Sequence, residues 1–395
     1  MIVSQTKRRF ILIVFMISTF AIGMTEYVVT GLMTQFASDL NVNLATTGLL
    51  LSIYAISVAI FGPIVRIVTI KLQPRSLLIG FMIVFILSNS IAATAPNFEM
   101  LLLSRLLSAI MHAPFFGLCM SIAYNLSTSD KGPSAIAMVQ GGLTIAIMLG
   151  VPFGSYLGGI FEWRYVFWLI VAIGVIALIG LVLVTPKQES ETPPNIREEL
   201  RIFKNRNVLM ILAIVVFGFS GVFTAYTFLE PMLRELSGFG VNEITIGLFL
   251  FGLGAVLGNF ISGKTPPPLL TERLVLSLVI LAIVLLLFTW LLPFKGIAFL
   301  MCLLFGAGTF GTTPILNSKI IITGWEAPSL SGTISASVFN VANCFGATLS
   351  TLFLNTGASF KLITSIAGAM VLFGMILTVL TYKIENNKIL NQQSG

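Results

Sequence analysis

The stretch Gly23-Met24-Thr25-Glu26-Tyr27 places a carboxylate inside an apolar run long enough to cross a membrane. About 20 apolar residues span the ~30 Å hydrocarbon layer of a bilayer at ~1.5 Å per helical residue. A charged side chain near the middle of that layer costs roughly 3 kcal/mol or more, so such residues mostly face a cavity or a partner and mark the path of an ion or substrate. Glu26 is therefore the first candidate functional residue.

A second copy of this stretch lies 199 residues further along the chain. Identical residues recur at that spacing: Thr25 and Thr224, Tyr27 and Tyr226, Met33 and Met232, Val42 and Val241, Asn43 and Asn242, Thr46 and Thr245, Gly48 and Gly247. At the position of Glu26 the copy has Ala225. A duplicated scaffold with an acid in only one copy predicts two helical halves around a shared cavity, with the ionisable chemistry in the first half.

The composition excludes a soluble globular protein. Of 395 residues, 56% are hydrophobic and only 9% are charged, and the mean hydropathy is +1.01. Apolar runs of about 20 residues predict twelve membrane-spanning helices. Their predicted limits are 9–33, 44–66, 75–95, 98–123, 134–158, 164–184, 208–232, 243–263, 272–293, 296–320, 329–352 and 360–382.

The predicted fold class is an all-α membrane protein of two six-helix bundles. Residues 1–184 form the first bundle and residues 208–395 the second, and the charged, proline-containing segment 185–207 joins them on the cytoplasmic side. In that linker Ile196, Leu200 and Phe203 have the spacing of a short helix that lies on the membrane surface. A solvated linker without a helix is an equal alternative.

The basic residues are distributed unevenly over the predicted loops. Of the 22 Lys and Arg residues, seventeen fall on one side, four fall on the other, and Arg105 lies within a span. This bias predicts a multi-pass membrane protein with cytoplasmic N- and C-termini. The pI of about 9.4 thus reflects topology, so we expect the lipid bilayer as a partner and no nucleic acid.

The three cysteines lie in predicted spans and have no metal-ligand spacing, which is typical of small apolar helix residues. No recognisable zinc site, nucleophile or acid pair occurs, and no Walker A sequence is present. We therefore expect no metal or other cofactor, no enzymatic activity and no ATP-driven step in this chain.

The fourth span carries Arg105 and His112, which is the only histidine. Seven residues correspond to ~700° of helix, so these two side chains project from nearly the same face. Counting residues places Glu26 and Arg105 at about the same depth, so the two can pair. A glutamate that alternates between an arginine and a proton or substrate would couple proton flow to transport.

Two interpretations remain open for these residues. Glu26 and Arg105 either carry out proton coupling or form a static buried ion pair that fixes helix packing. His112 either takes part in the coupling or is a hydrogen-bonded core residue, and alone it cannot form a metal site.

The fifth span contains a stripe of small residues at Gly150, Gly154 and Gly158, with Pro152 between them. Small residues four apart allow close helix contact, and the proline removes a backbone donor and bends the helix. Ordinary packing of membrane helices, without any role in transport, is the alternative interpretation of this pattern.

Aromatic and amide side chains in the spans are candidates for substrate binding. Asn340 and Asn343 share a face of the eleventh span, and an amide in hydrocarbon needs a hydrogen-bond partner, so they bind either substrate or a neighbouring helix. Glu230 ends the seventh span, where a solvated helix end is favoured over a gate. The substrate-binding candidates are Tyr27, Tyr54, Phe115, Gln140, Tyr226, Asn317, Phe339, Asn340 and Asn343.

Twelve spans in two groups of six around one linker resemble the major facilitator superfamily. Arg105 fits the fourth-helix arginine motif of that superfamily. The run His112-Ala113-Pro114-Phe115-Phe116-Gly117 is similar to the Ala-His-Ala-Phe/Phe-x-Gly stretch of the sugar-efflux and arabinose-exporter branch of bacterial drug:proton antiporters. Thr25-Glu26-Tyr27 is similar to the Thr-Glu-Phe of the same branch.

The resemblance implies a function and a location in the plasma (inner) membrane of a bacterium. The glycine stripe with its proline resembles the motif of the superfamily's exporters, so we expect a monomeric secondary transporter that exports a small molecule in exchange for H⁺. Relatives in the branch handle sugars, amphenicols and other drugs, nucleosides and metabolites, and a siderophore is equally compatible. An importer or facilitator of the same fold is the alternative, and a membrane-embedded enzyme or receptor is a third.

Overall fold

The computed structural model describes residues 5–69, 71–127, 132–186, 204–323 and 328–393 of the chain. Within these residues the protein is helical and has no β-strand. Twelve helices are long and apolar enough to cross a membrane, so the predicted number of spans is confirmed. The spans are Gln5–Gly31, Leu44–Thr69, Pro74–Ala93, Phe98–Ala123, Met138–Ile160, Trp163–Val184, Arg206–Tyr226, Val241–Ser262, Leu270–Leu291, Lys295–Ile320, Ser337–Asn355 and Phe360–Tyr382.

Several spans consist of more than one helical segment. The segments up to residue 184 are Gln5–Tyr27, Met33–Asp39, Leu44–Thr47, Leu49–Thr69, Pro74–Ala93, Phe98–Ile110, His112–Asn125, Gly132–Ile145, Val151–Ile160 and Trp163–Val184, with a 3-10 turn at Val28–Gly31 and a π-helical turn at Ala146–Gly150. The later segments are Arg206–Ala213, Ser220–Tyr226, Leu229–Ser237, Val241–Ser262, Leu270–Leu291, Lys295–Thr323, Pro328–Asn355 and Phe360–Gln393, with a π-helical segment at Ile214–Phe219 and a 3-10 turn at Pro267–Leu269.

The chain divides into two compact units. One comprises Met1–Pro193 together with Gly240–Phe249, and the other comprises Pro194–Phe239 together with Leu250–Gly395. The predicted surface helix around Ile196, Leu200 and Phe203 falls outside the residues that the structure describes.

Both copies of the internal repeat interrupt their helix at the same place. The first span changes from α-helix to a 3-10 turn after Tyr27, and the α-helix of the seventh span ends at Tyr226, which is the repeat-related tyrosine. In the first copy the β-branched run Val28-Val29-Thr30 follows, and such residues lower helix propensity. The repeat found in the sequence is therefore also a repeat in the structure.

Asparagine side chains begin two helices of the first unit. Asn43 accepts a hydrogen bond from the Thr46 backbone N–H at 2.7 Å, and Asn97 accepts one from the Met100 backbone N–H at 2.9 Å. Each satisfies one of the backbone donors that a helix start leaves unpaired.

The first and fifth spans pack closely where the fifth span has glycine. A Cβ atom added at Gly154 would stand only 2.3 Å from Val28, and one at Gly158 would stand 2.3 Å from Leu32. At Gly150 the same atom would stand 2.7 Å from Met24. Each glycine meets a residue at a constant offset along the chain, as expected for two parallel helices. Glycine thus brings the fifth span against the segment that carries Glu26.

Pro152 follows the π-helical turn at Ala146–Gly150. Proline has no N–H to donate to the carbonyl one turn earlier, so a local change from α- to π-helical bonding near it has a clear physical cause. The turn ends at Gly150, where the fifth span faces Met24.

An ion pair fixes the short helix Met33–Asp39 at one end of the first unit. The Asp39 carboxylate accepts hydrogen bonds from Trp163 Nε1 at 3.0 Å and from Arg164 Nη1 at 2.7 Å. The same guanidinium donates to the Ala95 carbonyl at 2.9 Å through Nη2. Phe36 packs edge-on against the Trp163 ring, with 5.1 Å between ring centroids. Three separate segments are therefore joined at this point.

Candidate functional site

Four side chains with polar groups meet inside the first unit. Glu26 comes from the first span, Tyr54 from the second, and Arg105 and His112 from the fourth. The exposed fractions are 6% for Glu26, 1% for Tyr54, 1% for Arg105 and 8% for His112. We call these four residues the buried polar cluster.

The fourth span consists of two helices that meet within the cluster. Its first helix, Phe98–Ile110, ends at Met111, and a second helix begins at His112. Pro114 follows and lacks the N–H that would bond to the Ile110 carbonyl, which accounts for the break. Arg105 thus lies within the first helix, and His112 begins the second.

Arg105 binds the backbone of the first span. Its Nη1 donates to the carbonyl of Thr25, and its Nη2 donates to the carbonyl of Glu26 at 3.3 Å. These carbonyls lie where the α-helix ends at Tyr27, so the guanidinium caps the negative end of that helix. The guanidinium carbon also lies 4.2 Å from the centroid of the Tyr54 ring, a cation–π contact.

The Glu26 carboxylate is close to His112. Its Oε2 lies 3.8 Å from His112 Nδ1. Among the side chains that the structure describes, no ion pair within 4.0 Å joins this carboxylate to Arg105. The structure therefore brings Glu26 and Arg105 together through the backbone of Glu26 rather than through its carboxylate.

His112 has contacts on one edge and one face of its ring. Its Nδ1 lies 2.8 Å from the Tyr54 hydroxyl oxygen, which is hydrogen-bonding distance. Phe116 stacks on the imidazole, with 4.8 Å between ring centroids and 20° between the ring planes. These contacts hold the orientation of the imidazole beside Glu26.

Asn89 extends the polar network and was missed from the sequence. It accepts a hydrogen bond from Thr25 Oγ1, and its amide donates to the Phe85 carbonyl at 2.8 Å. The side chain is 2% exposed. An amide inside the apolar third span was the available signal, because such a group needs a partner in hydrocarbon.

The remaining candidates of the first unit differ in exposure. Tyr27 is half-buried, directly after Glu26, whereas Phe115 has no exposed surface. Gln140 is exposed, and its Nε2 lies 3.8 Å from Met120 Sδ.

The candidates of the second unit are aromatic and amide groups. Tyr226 stacks on Phe251 with 4.8 Å between ring centroids, and Phe339 meets Phe219 edge-on at 5.3 Å. Asn317 accepts a hydrogen bond from Ser335, and Asn340 is half-buried. Asn343 is 5% exposed, and its Oδ1 has no hydrogen-bond partner among the described residues.

Glu230 differs from the expectation of a solvated helix end. It has no exposed surface, and its Oε1 lies 2.6 Å from Arg234 Nη2, one helical turn further on. The expectation was wrong because the helix that carries Glu230, Leu229–Ser237, begins beyond the seventh span and buries its first turn.

The described residues contain no group of three or more His, Cys, Asp or Glu side chains that could hold a metal ion. What the buried polar cluster offers chemically is an imidazole that lies 3.8 Å from a carboxylate and 2.8 Å from a phenol, beside a fixed positive charge. Such a set can take up, hold and release a proton.

Comparison with known proteins supplies the wider context. Residues 15–351 match the Major Facilitator Superfamily. The chain is 40% identical to the "Uncharacterized MFS-type transporter YfhI" of Bacillus subtilis (strain 168), with 100% of this chain and 99% of that protein covered. It is 26% identical to a "Probable sugar efflux transporter" of Helicobacter pylori (strain J99 / ATCC 700824), with 98% and 99% covered.

A solved structure has a similar fold. The crystal structure of the human organic anion transporter MFSD10 (TETRAN) superimposes with a TM-score of 0.65 at 16% sequence identity. The alignment covers 94% of this chain and 99% of the human one.

Proposed function

We propose that this chain, which belongs to the Major Facilitator Superfamily and matches membrane transporters rather than enzymes, is a proton-coupled exporter of small molecules. It works by alternating access in the plasma membrane of a bacterium, with both termini in the cytoplasm. The similarity to a sugar efflux transporter supports the outward direction. The excess of basic residues in the loops of one side supports the orientation.

The observation that carries this proposal is the position of the Glu26 carboxylate. It is buried in the first span, 3.8 Å from His112 Nδ1, while Nη1 and Nη2 of Arg105 donate to backbone carbonyls. A buried carboxylate that is not neutralised by a salt bridge is costly when ionised, so it readily takes up a proton. Glu26 is thus suited to bind and release the coupling proton.

The other members of the cluster assist this exchange. Arg105 fixes the end of the first helix and supplies a positive field, which makes the ionised form of Glu26 accessible. His112 and Tyr54 surround the carboxylate with groups that can accept or donate a hydrogen bond. The cost of ionising Glu26 then depends on whether a substrate is bound nearby, which is the condition for antiport.

The substrate is a small, largely neutral molecule such as a sugar, a drug or a metabolite. The candidate binding residues outside the cluster supply aromatic rings and amides and no charge, as at Tyr226, Phe339 and Asn343. Aromatic faces pack against apolar or sugar-ring surfaces, and amides bind hydroxyl or carbonyl groups.

The experiment that tests the proposal uses inverted membrane vesicles with an acidified lumen and a pH-sensitive dye. A panel of sugars, amphenicols, nucleosides and carboxylate metabolites is added outside. An exported compound enters the lumen as protons leave, so the dye reports the loss of the gradient. We expect at least one compound to do this with the wild-type protein and none to do so with Glu26→Gln.

Glu99→Gln is the matched control. Glu99 is an exposed carboxylate in the first turn of the same span as Arg105, so this variant removes a charge without touching the cluster. Two outcomes would contradict the proposal. One is a compound that crosses the membrane without proton movement, and the other is a Glu26→Gln protein that exchanges protons like the wild type.

A further inference from the structure

The single histidine has two different neighbours on one nitrogen. His112 Nδ1 lies 2.8 Å from the Tyr54 hydroxyl and 3.8 Å from Glu26 Oε2. The first distance is that of a hydrogen bond, whereas the second is too long for one but short enough for a strong electrostatic effect. Both groups therefore influence which nitrogen of the imidazole carries the proton.

A neutral imidazole carries its proton on either Nδ1 or Nε2, and its neighbours decide which. A nearby carboxylate with a negative charge attracts the proton to Nδ1, and the Tyr54 oxygen then accepts the hydrogen bond. When the carboxylate is protonated that attraction is lost. The Tyr54 O–H can then donate to Nδ1, and the imidazole proton lies on Nε2.

We propose that His112 acts as a neutral tautomeric switch that responds to the protonation of Glu26, with Tyr54 as the positioning residue that serves as hydrogen-bond acceptor in one state and donor in the other. This inference rests on the proposed role of Glu26 as the proton site. No net proton is gained or lost by His112 in the step. The ring gives up the proton on Nδ1 and takes one up on Nε2 by exchange with water, and Glu26 gains or loses its own proton in the same way, so the charge of His112 is unchanged.

The surroundings of the ring favour this role over a charged imidazolium. His112 is 8% exposed, and burial disfavours a charged ring. The ionisable groups that contact or surround it are Glu26, Tyr54 and Arg105, and the last already contributes a positive charge to the cluster. A second cation there would be repelled by the first.

The contacts of the two rings also hold His112 and Tyr54 in fixed positions. Stacking on Phe116 holds the plane of the imidazole, and the Arg105 guanidinium packs on the face of the Tyr54 ring. Neither ring needs to move for the Tyr54 hydroxyl to rotate from acceptor to donor. The switch therefore operates by rotation of an O–H bond and exchange of the ring protons with water, with the heavy atoms in place.

The consequence appears at the other ring nitrogen. Among the residues that the structure describes, Nε2 makes no hydrogen bond. It is a hydrogen-bond acceptor when Glu26 is ionised and a donor when Glu26 is protonated. The switch would thus convert the protonation of a carboxylate into a change of hydrogen-bond polarity that a substrate or a water molecule can sense.

The experiment exploits the fact that the chain has one histidine. The full chain is expressed with ¹⁵N-labelled histidine, purified through a tag that contains no histidine and reconstituted in lipid. The ¹⁵N NMR spectrum then reports His112 alone and distinguishes Nδ1–H, Nε2–H and the doubly protonated ring. We expect the wild type to change from Nδ1–H to Nε2–H as the pH falls.

Three variants test the assignment. Glu26→Gln imitates the protonated carboxylate, so we expect Nε2–H at every pH. Tyr54→Phe removes the hydroxyl donor, so we expect both tautomers together at acid pH in place of a complete change. Glu230→Gln changes a buried glutamate that belongs to the other unit, and we expect it to leave the spectrum unchanged.

The possible outcomes either support or contradict the inference about His112. If Glu26→Gln keeps the wild-type pH response, Glu26 does not control the tautomer and the inference is wrong. If the ring becomes doubly protonated as the pH falls, His112 carries a proton itself and the inference is also wrong. A third outcome separates the two proposals. If the wild type shows the tautomer change in the NMR spectrum but Glu26→Gln vesicles still exchange protons, the proposed function is wrong and the switch remains supported.

Discussion

Asp39 provides a contrast with Glu26, because it lies beyond the membrane-spanning segment and has a guanidinium directly on its carboxylate. Burial alone would raise the pKa of Asp39, but the hydrogen bonds from Arg164 and Trp163 and the charge of Arg164 outweigh it. The net effect lowers the pKa of Asp39 below its usual value of 3.8. A carboxyl group of this kind stabilises the folded protein at every pH above its unfolded pKa.

We predict that Asp39→Asn lowers the free energy of unfolding by about 0.2–1 kcal/mol at neutral pH, because an exposed ion pair contributes no more than that. The carboxylate is 45% exposed, which keeps the effect small. The difference from wild type should be constant above the unfolded pKa and disappear as the pH falls through the lowered folded pKa. Unfolding in detergent, measured over a pH series, tests this.

Ser38→Ala changes the neighbouring exposed residue and serves as the control. A difference between Asp39→Asn and wild type that persisted in acid would mean that the ionised carboxylate is not the stabilising group. The helix Met33–Asp39 would then be held by the packing of Phe36 against Trp163 alone.

The sequence identified the cluster residues but not how they bind one another. Rarity of charge within membrane spans singled out Glu26 and Arg105, and counting residues gave them equal depth. The guanidinium nevertheless binds the carbonyls of Thr25 and Glu26, since the helix ends at Tyr27 and leaves those acceptors available. Periodicity does not reveal where a helix changes to a 3-10 turn, so this geometry could not be predicted.

At the level of helices, contact between the first and fifth spans depends on the absence of side chains at three glycines. We predict that Gly154→Ala lowers the free energy of unfolding by about 1–3 kcal/mol, the usual cost of overpacking. The new methyl group would stand 2.3 Å from Val28 Cγ2. Val28→Ala removes that atom, so the double variant should recover part of the loss despite the small cavity that Val28→Ala creates.

Gly117→Ala is the matched control, because a Cβ atom at Gly117 meets nothing within 4 Å. Thermal unfolding of the wild type, the two single variants, the double variant and the control in detergent gives the comparison. Additive effects of Val28→Ala and Gly154→Ala would show that the Val28 side chain and a methyl group at position 154 do not compete for the same space. That result would contradict the close packing of Gly154 against Val28.

The spans themselves were predictable, because a run of about 20 apolar residues has one stable state in a bilayer, the helix. The interruptions within the spans were harder to predict. Pro114 and Pro152 lie near two of them, and proline alone does not specify whether a helix kinks, breaks or becomes π-helical. The π-helical segment at Ile214–Phe219 contains no proline at all.

At the level of the whole molecule, the two halves share a scaffold and differ in where they place charge. Of the buried Glu, Arg and His side chains that the structure describes, Glu26, Arg105 and His112 lie in the first unit. Glu230 lies in the second unit and is paired with Arg234. The internal repeat predicted this asymmetry from the replacement of Glu26 by Ala225. How the halves divide the work of transport depends on their movement, which periodicity and composition do not encode.

The asymmetry leads to a prediction about Ala225, which is 1% exposed. Ala225→Glu places a carboxylate at the repeat-related position without the arginine and histidine that accompany Glu26. We expect it to lower the free energy of unfolding at neutral pH by about 2.5–3.5 kcal/mol more than Ala225→Gln, the cost of an unpartnered charge in a span. The glutamine variant has nearly the same shape and accounts for the steric effect.

Acid should remove the difference between these two variants, because a protonated glutamate and a glutamine are both neutral. Unfolding in detergent at neutral and acid pH, with reconstituted yield as a second measure, tests the expectation. Equal stability of Ala225→Glu and Ala225→Gln at neutral pH would mean that the second half also tolerates a buried carboxylate. The restriction of acid chemistry to the first half would then reflect the mechanism of transport rather than the energetic cost of a charge without partners.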